Sequence, residues 1–132
     1  MYLLDTSICI HLIRKRPAKL LDRILACDPE EVGLSVITLT ELAHGVIKSQ
    51  DPRRNRDALE LFLAALQVLE FPAEAAFAYG QIRAQLEEKG SGLGAMDLMI
   101  AAHARALGAT LVSNKPREFR RVSGLKTENW AR

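Results

Sequence analysis

The sequence predicts a three-layer α/β sandwich with a small parallel sheet of four to five strands. Three observations lead there. Short apolar runs alternate with longer stretches of helical periodicity. One or two helices separate each run from the next, and parallel strands need crossovers of that kind. The chain has 132 residues, 48% hydrophobic and 26% charged, which is the size and balance of one globular domain spanning 1–132.

Tyr2-Leu3-Leu4 reads as the first strand, and Asp5-Thr6-Ser7 can end it and cap a helix. Ile8 to Arg14 is helical, and Pro17 opens a second helix that ends near Cys27-Asp28-Pro29. Val32 to Val36 is the second strand. Thr38-Leu39-Thr40-Glu41 has capping-box spacing, so the next helix is expected to start there and run towards Ser49. Asp51-Pro52 breaks it. Arg53 to Gln67 is a helix whose second half is apolar nearly all round, which predicts burial on several sides. Val68-Leu69-Glu70-Phe71 is the third strand, closed by Pro72. The following helix carries Ala75, Tyr79, Ile82 and Leu86 on one stripe and stops at Lys89-Gly90, a basic last turn before a glycine. Gly92 and Gly94 loosen the connection. Met96 to Leu107 is a buried helix ended by Gly108, and Ala109 to Val112 is the fourth strand. A basic stretch from Lys115 to Arg121 follows, then Leu125-Lys126-Thr127 as a last edge strand.

Open parallel sheets bind ligands at the carboxyl ends of their strands. Asp5, Ser113 and Asn114 directly follow strands. Glu41 is expected in the first helical turn after the second strand. Asp97 opens a helix that must run opposite to the fourth strand, so its start lies at the same edge. Each acid has an ordinary reading: Asp5 as a helix cap, Glu41 as the partner of Thr38 in the capping box, Asp97 as an acid favoured by the helix dipole. Their convergence changes that. Three carboxylates at one edge repel one another unless a counter-charge sits among them. A divalent cation supplies it, and oxygen donors without His or Cys at ligand spacing favour Mg²⁺ or Mn²⁺ over Zn²⁺.

Other features narrow the field. Eighteen basic and sixteen acidic side chains leave only +2, too little to mark a nucleic-acid binder by charge alone. Aromatics at 5% argue against a base-stacking platform. Two isolated cysteines and the absence of a secretory pattern at the start fit a reduced, cytoplasmic protein. The longest apolar run, Leu61 to Leu66, is far short of the ~20 residues that cross a bilayer, so no membrane is expected as a partner. His11, His44 and His103 share no metal-ligand spacing, and His103 reads as a hydrogen-bonded core or interface histidine. Neither a nucleophile elbow nor a phosphate loop is present. Arg14-Lys15-Arg16 and Arg53-Arg54 read as solvated charge, whereas the stretch from Lys115 starts beside the acidic edge and suits RNA phosphate. Arg83 can reach substrate or pair with Glu87, one helical turn on. Ile8, Ile10, Leu12, Ile13, Leu20, Leu21, Ile24 and Leu25 exceed what a short helix pair buries. They suit either a groove for a partner helix or packing against the sheet.

These residues resemble a known family. Leu4-Asp5-Thr6-Ser7 resembles the opening motif of PIN-domain nucleases, and Thr40-Glu41-Leu42 their second acid. Gly94 to Ala104 is similar to their third-acid helix, and Leu111-Val112-Ser113-Asn114 with Arg117-Glu118-Phe119 to their closing motif. The likeness covers essentially the whole chain and is greatest to the VapC toxins of toxin–antitoxin operons, including Gly124-Leu125 and Glu128-Asn129-Trp130. It implies a Mg²⁺-dependent endoribonuclease, homodimeric, held inactive by a VapB-type antitoxin. By resemblance, Asp5, Glu41 and Asp97 form the metal site, Glu41 in part through water. Thr6, Ser7, Ser113 and Asn114 support it, and Lys115, Arg117 and Arg83 are left to meet substrate. One position departs from the family pattern: Lys115 stands where a fourth Asp, or an Asn, is frequent, which removes a ligand for a second metal.

Two other functions compete. A non-catalytic RNA- or antitoxin-binding module would keep the fold and lose activity through Lys115. A phospho-receiver domain needs an Asp at the end of the third strand and paired acids after the first, and the sequence offers neither.

Overall fold

The computed structural model describes residues 1–131. Over them the chain runs β1 (Tyr2–Leu4), α1 (Thr6–Lys15), α2 (Ala18–Leu25), a 3₁₀ turn (Pro29–Glu31), β2 (Val32–Ser35), α3 (Val36–Lys48) and α4 (Pro52–Ala64). It continues through β3 (Gln67–Leu69), α5 (Ala73–Glu88), α6 (Ala95–Leu107), β4 (Thr110–Val112), α7 (Pro116–Phe119) and β5 (Lys126–Glu128). The predicted sandwich with its small parallel sheet is the observed fold.

The strand order is β3-β2-β1-β4-β5, and every pairing is parallel. β1 lies in the middle, with Leu4 level with Leu34 on one side and Val112 on the other. The chain builds outwards from β1 to β3, then returns to place β4 on the far side of β1. That reversal puts a crevice at the carboxyl ends of β1 and β4, where α/β sheets hold their ligands.

Alternate residues of the central strands enter opposite faces. Leu3 and Leu111 pack with α5, α6 and Phe119; Leu4, Val112, Val32 and Leu34 pack with α1, α3 and Trp130. Trp130 is a core residue, with Tyr2 against its ring edge at 4.8 Å and the Arg23 guanidinium over its face at 4.9 Å. At Gly33 a Cβ would lie 2.9 Å from the Gln67 carbonyl oxygen, so only glycine lets β2 and β3 approach this closely. Gly108, at φ 67, ends α6 in the left-handed region as the sequence predicts.

Two expectations fail. The Thr38–Glu41 capping box does not form. Ser35 caps α3 instead, its hydroxyl accepting from the Ile37 N–H at 3.0 Å, so the helix opens a turn early and Glu41 falls in its second turn. Nor is the second half of α4 enclosed. Leu59 is its only buried residue, and Leu61 is 66% exposed. Its apolar side chains instead wall an open groove shared with α1 and α2.

Candidate active site at the carboxyl edge of the sheet

β1 ends in Asp5, whose backbone N–H donates to the Val112 carbonyl at 2.9 Å, extending the β1–β4 ladder by one step. Its side chain turns back to cap α1 and accepts from the Ile8 N–H at 2.9 Å. The Ser7 hydroxyl donates to both carboxylate oxygens, at 2.8 and 2.9 Å. Asp5 is fully buried. Burial pushes its carboxyl above the usual range, against the opposing pull of the Ser113, Ile8 and Ser7 hydrogen bonds and of the Lys115 charge.

Glu41 arrives from α3. The Thr6 hydroxyl donates to its Oε1 at 2.6 Å, and the same hydroxyl lies 3.3 Å from that of buried Thr38. The start of α1 thus holds two acids, Asp5 by its own cap and Ser7, Glu41 through Thr6. The early start of α3 makes this possible, because it turns Glu41 towards α1 rather than back to its own cap.

Asp97 sits in the first turn of α6. Its Oδ2 accepts from the Lys115 ammonium at 2.9 Å, and Glu118 Oε2 lies 3.7 Å from the same nitrogen. Ser113 is buried, and its hydroxyl accepts from the Lys115 N–H at 3.0 Å, which fixes the turn that aims Lys115 at Asp97. Desolvation works against the ammonium, but the bond to Asp97 and the charges of Asp97, Glu118 and Asp5 outweigh it, so Lys115 holds its proton more firmly than usual. The counter-charge expected from a dication comes here from a side chain.

Asn114 is exposed beside this turn, and Arg117 points to solvent on α7. Arg83 stands on α5, bonded to the Tyr79 hydroxyl at 3.0 Å and 3.6 Å from Glu87, the pairing its spacing predicts. His103 is buried away from the acids. Its Nδ1 lies 2.8 Å from the Ser35 hydroxyl that caps α3, and its Nε2 has no hydrogen-bond partner among the described residues. Sequence spacing did not reveal that link.

Among the described residues, no group of three or more His, Cys, Asp or Glu side chains is already arranged to hold a metal ion. The donors nonetheless suit one. Asp97 bonds the Lys115 ammonium at 2.9 Å on the turn that follows β4, beside Asp5, so a position for positive charge already exists at this edge. The ligands there are hard oxygens, the chemistry that Mg²⁺ and Mn²⁺ prefer.

The apolar groove is a second feature. It encloses about 490 Å³ between α1, α2 and α4, lined by Leu12, Ile13, Leu21, Ile24, Leu61 and Phe62 among others. The apolar excess of the first third therefore divides. Ile8 and Leu20 are core; Leu12 is core and floors the groove; Ile13, Leu21 and Ile24 line it; Leu25, on its rim, is 80% exposed, and Ile10 also reaches solvent.

Comparison with known proteins identifies the family and the fold. The PIN domain family matches residues 2–125. Ribonuclease VapC2 of Rickettsia felis is 41% identical over 131 residues, 98% of each chain. The tRNA(fMet)-specific endonuclease VapC of Shigella flexneri is 44% identical over 130 residues, again 98% of each. Among solved structures, VapBC2 from Rickettsia felis bound to a promoter DNA fragment superposes with a TM-score of 0.91 at 40% identity, over 98% of both chains. DNA-bound VapBC from Salmonella typhimurium gives 0.94 at 40% identity, over 98% of this chain and 97% of that one.

Proposed function

This chain belongs to the PIN-domain family, among its VapC ribonucleases, and we propose that it is a Mg²⁺-dependent endoribonuclease toxin that hydrolyses structured RNA at the edge holding Asp5, Glu41 and Asp97. The observation that carries the reading is that the end of β4 ties Asp5 and Asp97, 92 positions apart by number, to one edge: the Asp5 N–H bonds the Val112 carbonyl at 2.9 Å, and Lys115, three residues on, bonds Asp97 at 2.9 Å.

Asp5 and Asp97 are the residues to hold the ion, Mn²⁺ being a substitute, with Glu41 joining directly or through water. When bound, the dication supplies Lewis acidity, acidifying water and neutralising charge on the phosphodiester. The protein residues do the rest. Ser7 and the Ile8 N–H hold Asp5 in place. Thr6 fixes Glu41 so that its free oxygen orients the attacking water and takes up its proton. Ser113 and Asn114 shape the turn beside the scissile group. Lys115 and Arg117 meet substrate phosphates, and Arg83 does so only on leaving Glu87. In-line attack by water leaves a 5′-phosphate and a 3′-hydroxyl. The names of the Shigella and Salmonella relatives, specific for tRNA(fMet), favour a tRNA as the RNA.

The groove supports a second part of the reading: an antitoxin of the VapB type lays an apolar helix between α1, α2 and α4. The solved VapBC complexes favour that partner. α5 turns Phe77, 78% exposed, to solvent beside Ala73, Ala76 and Gly80, a face suited to a second copy in a homodimer. No helix among the described residues is long and apolar enough to cross a membrane, which fits a toxin acting in the cytoplasm as one nuclease domain.

The test is cleavage of total RNA with and without Mg²⁺, comparing the chain with Asp5→Asn and sequencing the new 5′ ends. Mg²⁺-dependent cutting that the substitution abolishes is expected. Equal cutting by both proteins, or 2′,3′-cyclic phosphate ends, would overturn the mechanism. RNA held without Mg²⁺-dependent cleavage would instead favour a binding-only module.

A further inference from the structure

We propose that Lys115 is a built-in competitor for the metal position: in the metal-free protein its ammonium occupies Asp97, and it must leave before that carboxylate can ligate a dication. The inference rests on the acidic edge being the metal site, and it concerns what this chain has added to that edge.

Four observations support it. The Lys115 ammonium bonds Asp97 Oδ2 at 2.9 Å, the geometry of a charge-assisted hydrogen bond. The Lys115 N–H donates to the buried Ser113 hydroxyl at 3.0 Å, which holds the backbone from which the side chain reaches Asp97. Glu118, one helical turn on at 3.7 Å, offers the ammonium a second carboxylate. The Lys115 side chain is 38% exposed and can swing towards solvent and Glu118 without opening the core.

The consequence follows from charge alone. A dication arriving at Asp97 meets a resident positive charge within a few ångströms, where like charges repel strongly in a partly desolvated site. Its affinity is therefore lower than the three carboxylates would otherwise confer. Once displaced, the ammonium lies beside Glu118 at the mouth of the site, where a phosphate can draw it off. Lys115 is thus a positioning residue that couples metal loading to the state of Asp97.

Direct Mn²⁺ binding by the full chain, followed by electron paramagnetic resonance, tests this without reading activity. Lys115→Met keeps the length and removes the charge without adding a hard ligand; Lys115→Gln serves as a second neutral variant, and Lys115→Arg as the conservative one. The neutral variants should bind Mn²⁺ at least about tenfold more tightly than the parent, and Lys115→Arg should stay close to it. Asp97→Asn combined with Lys115→Met should abolish the gain. Equal or weaker binding by both neutral variants would overturn the inference while leaving the metal site standing. Failure of parent and variants alike to bind Mn²⁺ would overturn both.

Discussion

On one face of the sheet α6 buries Leu98, Ile100, Ala101, Ala102, His103 and Ala104; on the other, α4 buries Leu59 alone. Both helices are 13 residues long and carry a run of mostly apolar residues. Their surroundings differ. α6 lies between the sheet and α5, so most of its circumference meets protein. α4 lies at the edge of its layer against α1 and α3, and Leu61 and Phe62 look into the groove. Around α6 the first face is complete within the chain, while the groove beside α4 keeps apolar surface that a second molecule can cover. The acidic edge lies on the seam. Asp97 comes from α6 on the complete face, Glu41 from α3 on the open one, and Asp5 from the end of β1 where α1 begins.

The largest expected effect tests that seam. Asp5→Asn and Asp97→Asn should each reduce Mg²⁺-dependent RNA cleavage by at least ~10³-fold, about 4 kcal/mol of transition-state stabilisation. Single-turnover rates would show it. If one variant cleaves normally, the site belongs to one face and the seam has no catalytic meaning.

Next comes the packing difference itself. Ile100→Ala should cost about 2–5 kcal/mol in urea unfolding, because the site cannot collapse around the missing atoms. Leu61→Ala should change stability by no more than ~0.5 kcal/mol. Leu61→Asp should leave folding intact and weaken capture of the cognate antitoxin. A large stability loss at Leu61 would mean that the open face is closed by the chain itself.

These contrasts also explain what the sequence made legible. The strands, their parallel pairing and the glycine stops were readable because local periodicity and turn chemistry decide them. Asp5 and Asp97 were readable because they stand directly at element boundaries on one edge. Glu41 was found for a partly mistaken reason: Thr38 and Ser35 are both good caps, and only the position of β2 decides that Ser35 caps first. The burial of α4 differs from its sequence reading because apolar side chains nearly all round a helix look the same whether this chain or a partner covers them. The Lys115–Asp97 bond spans 18 positions and depends on a turn set by Ser113. Nothing in linear spacing encodes that direction.

A smaller effect arises inside the complete face. Burial lowers the pKa of His103 below its ordinary 6.5. The unfolded chain therefore takes up this proton more readily. Stability is unaffected above pH 6.5, falls as the pH drops below it, and levels off beneath the folded value. The slope is up to roughly 1.4 kcal/mol per pH unit. Urea midpoints at pH 7.5 and 5.5 should separate for the parent chain and lie closer together for His103→Gln. Equal separation in both would show that His103 stays protonated or finds a partner on unfolding the cap of α3.

The smallest effect concerns Asp5 as a member of the core rather than as a ligand. Its folded pKa lies above the ordinary 3.8, so the folded chain binds this proton more tightly than the unfolded one. Below 3.8 both states are protonated and nothing is lost. As pH rises through the folded value the buried charge forms, and its cost is then present in full at neutral pH. Asn keeps an oxygen to accept from the Ile8 N–H and carries no charge, so the cap survives and the burden is removed. With EDTA present, Asp5→Asn should therefore be more stable than the parent by on the order of 1 kcal/mol or less, the scale on which single polar groups act. With saturating Mn²⁺ the order should reverse, because only the parent gains stability from the bound ion. Thermal melts of the two proteins under both conditions measure the crossing. A parent that is more stable even in EDTA would mean that the hydrogen bonds of Ser7 and Ser113 already offset the burial, and that the seam carries no strain for a cation to relieve.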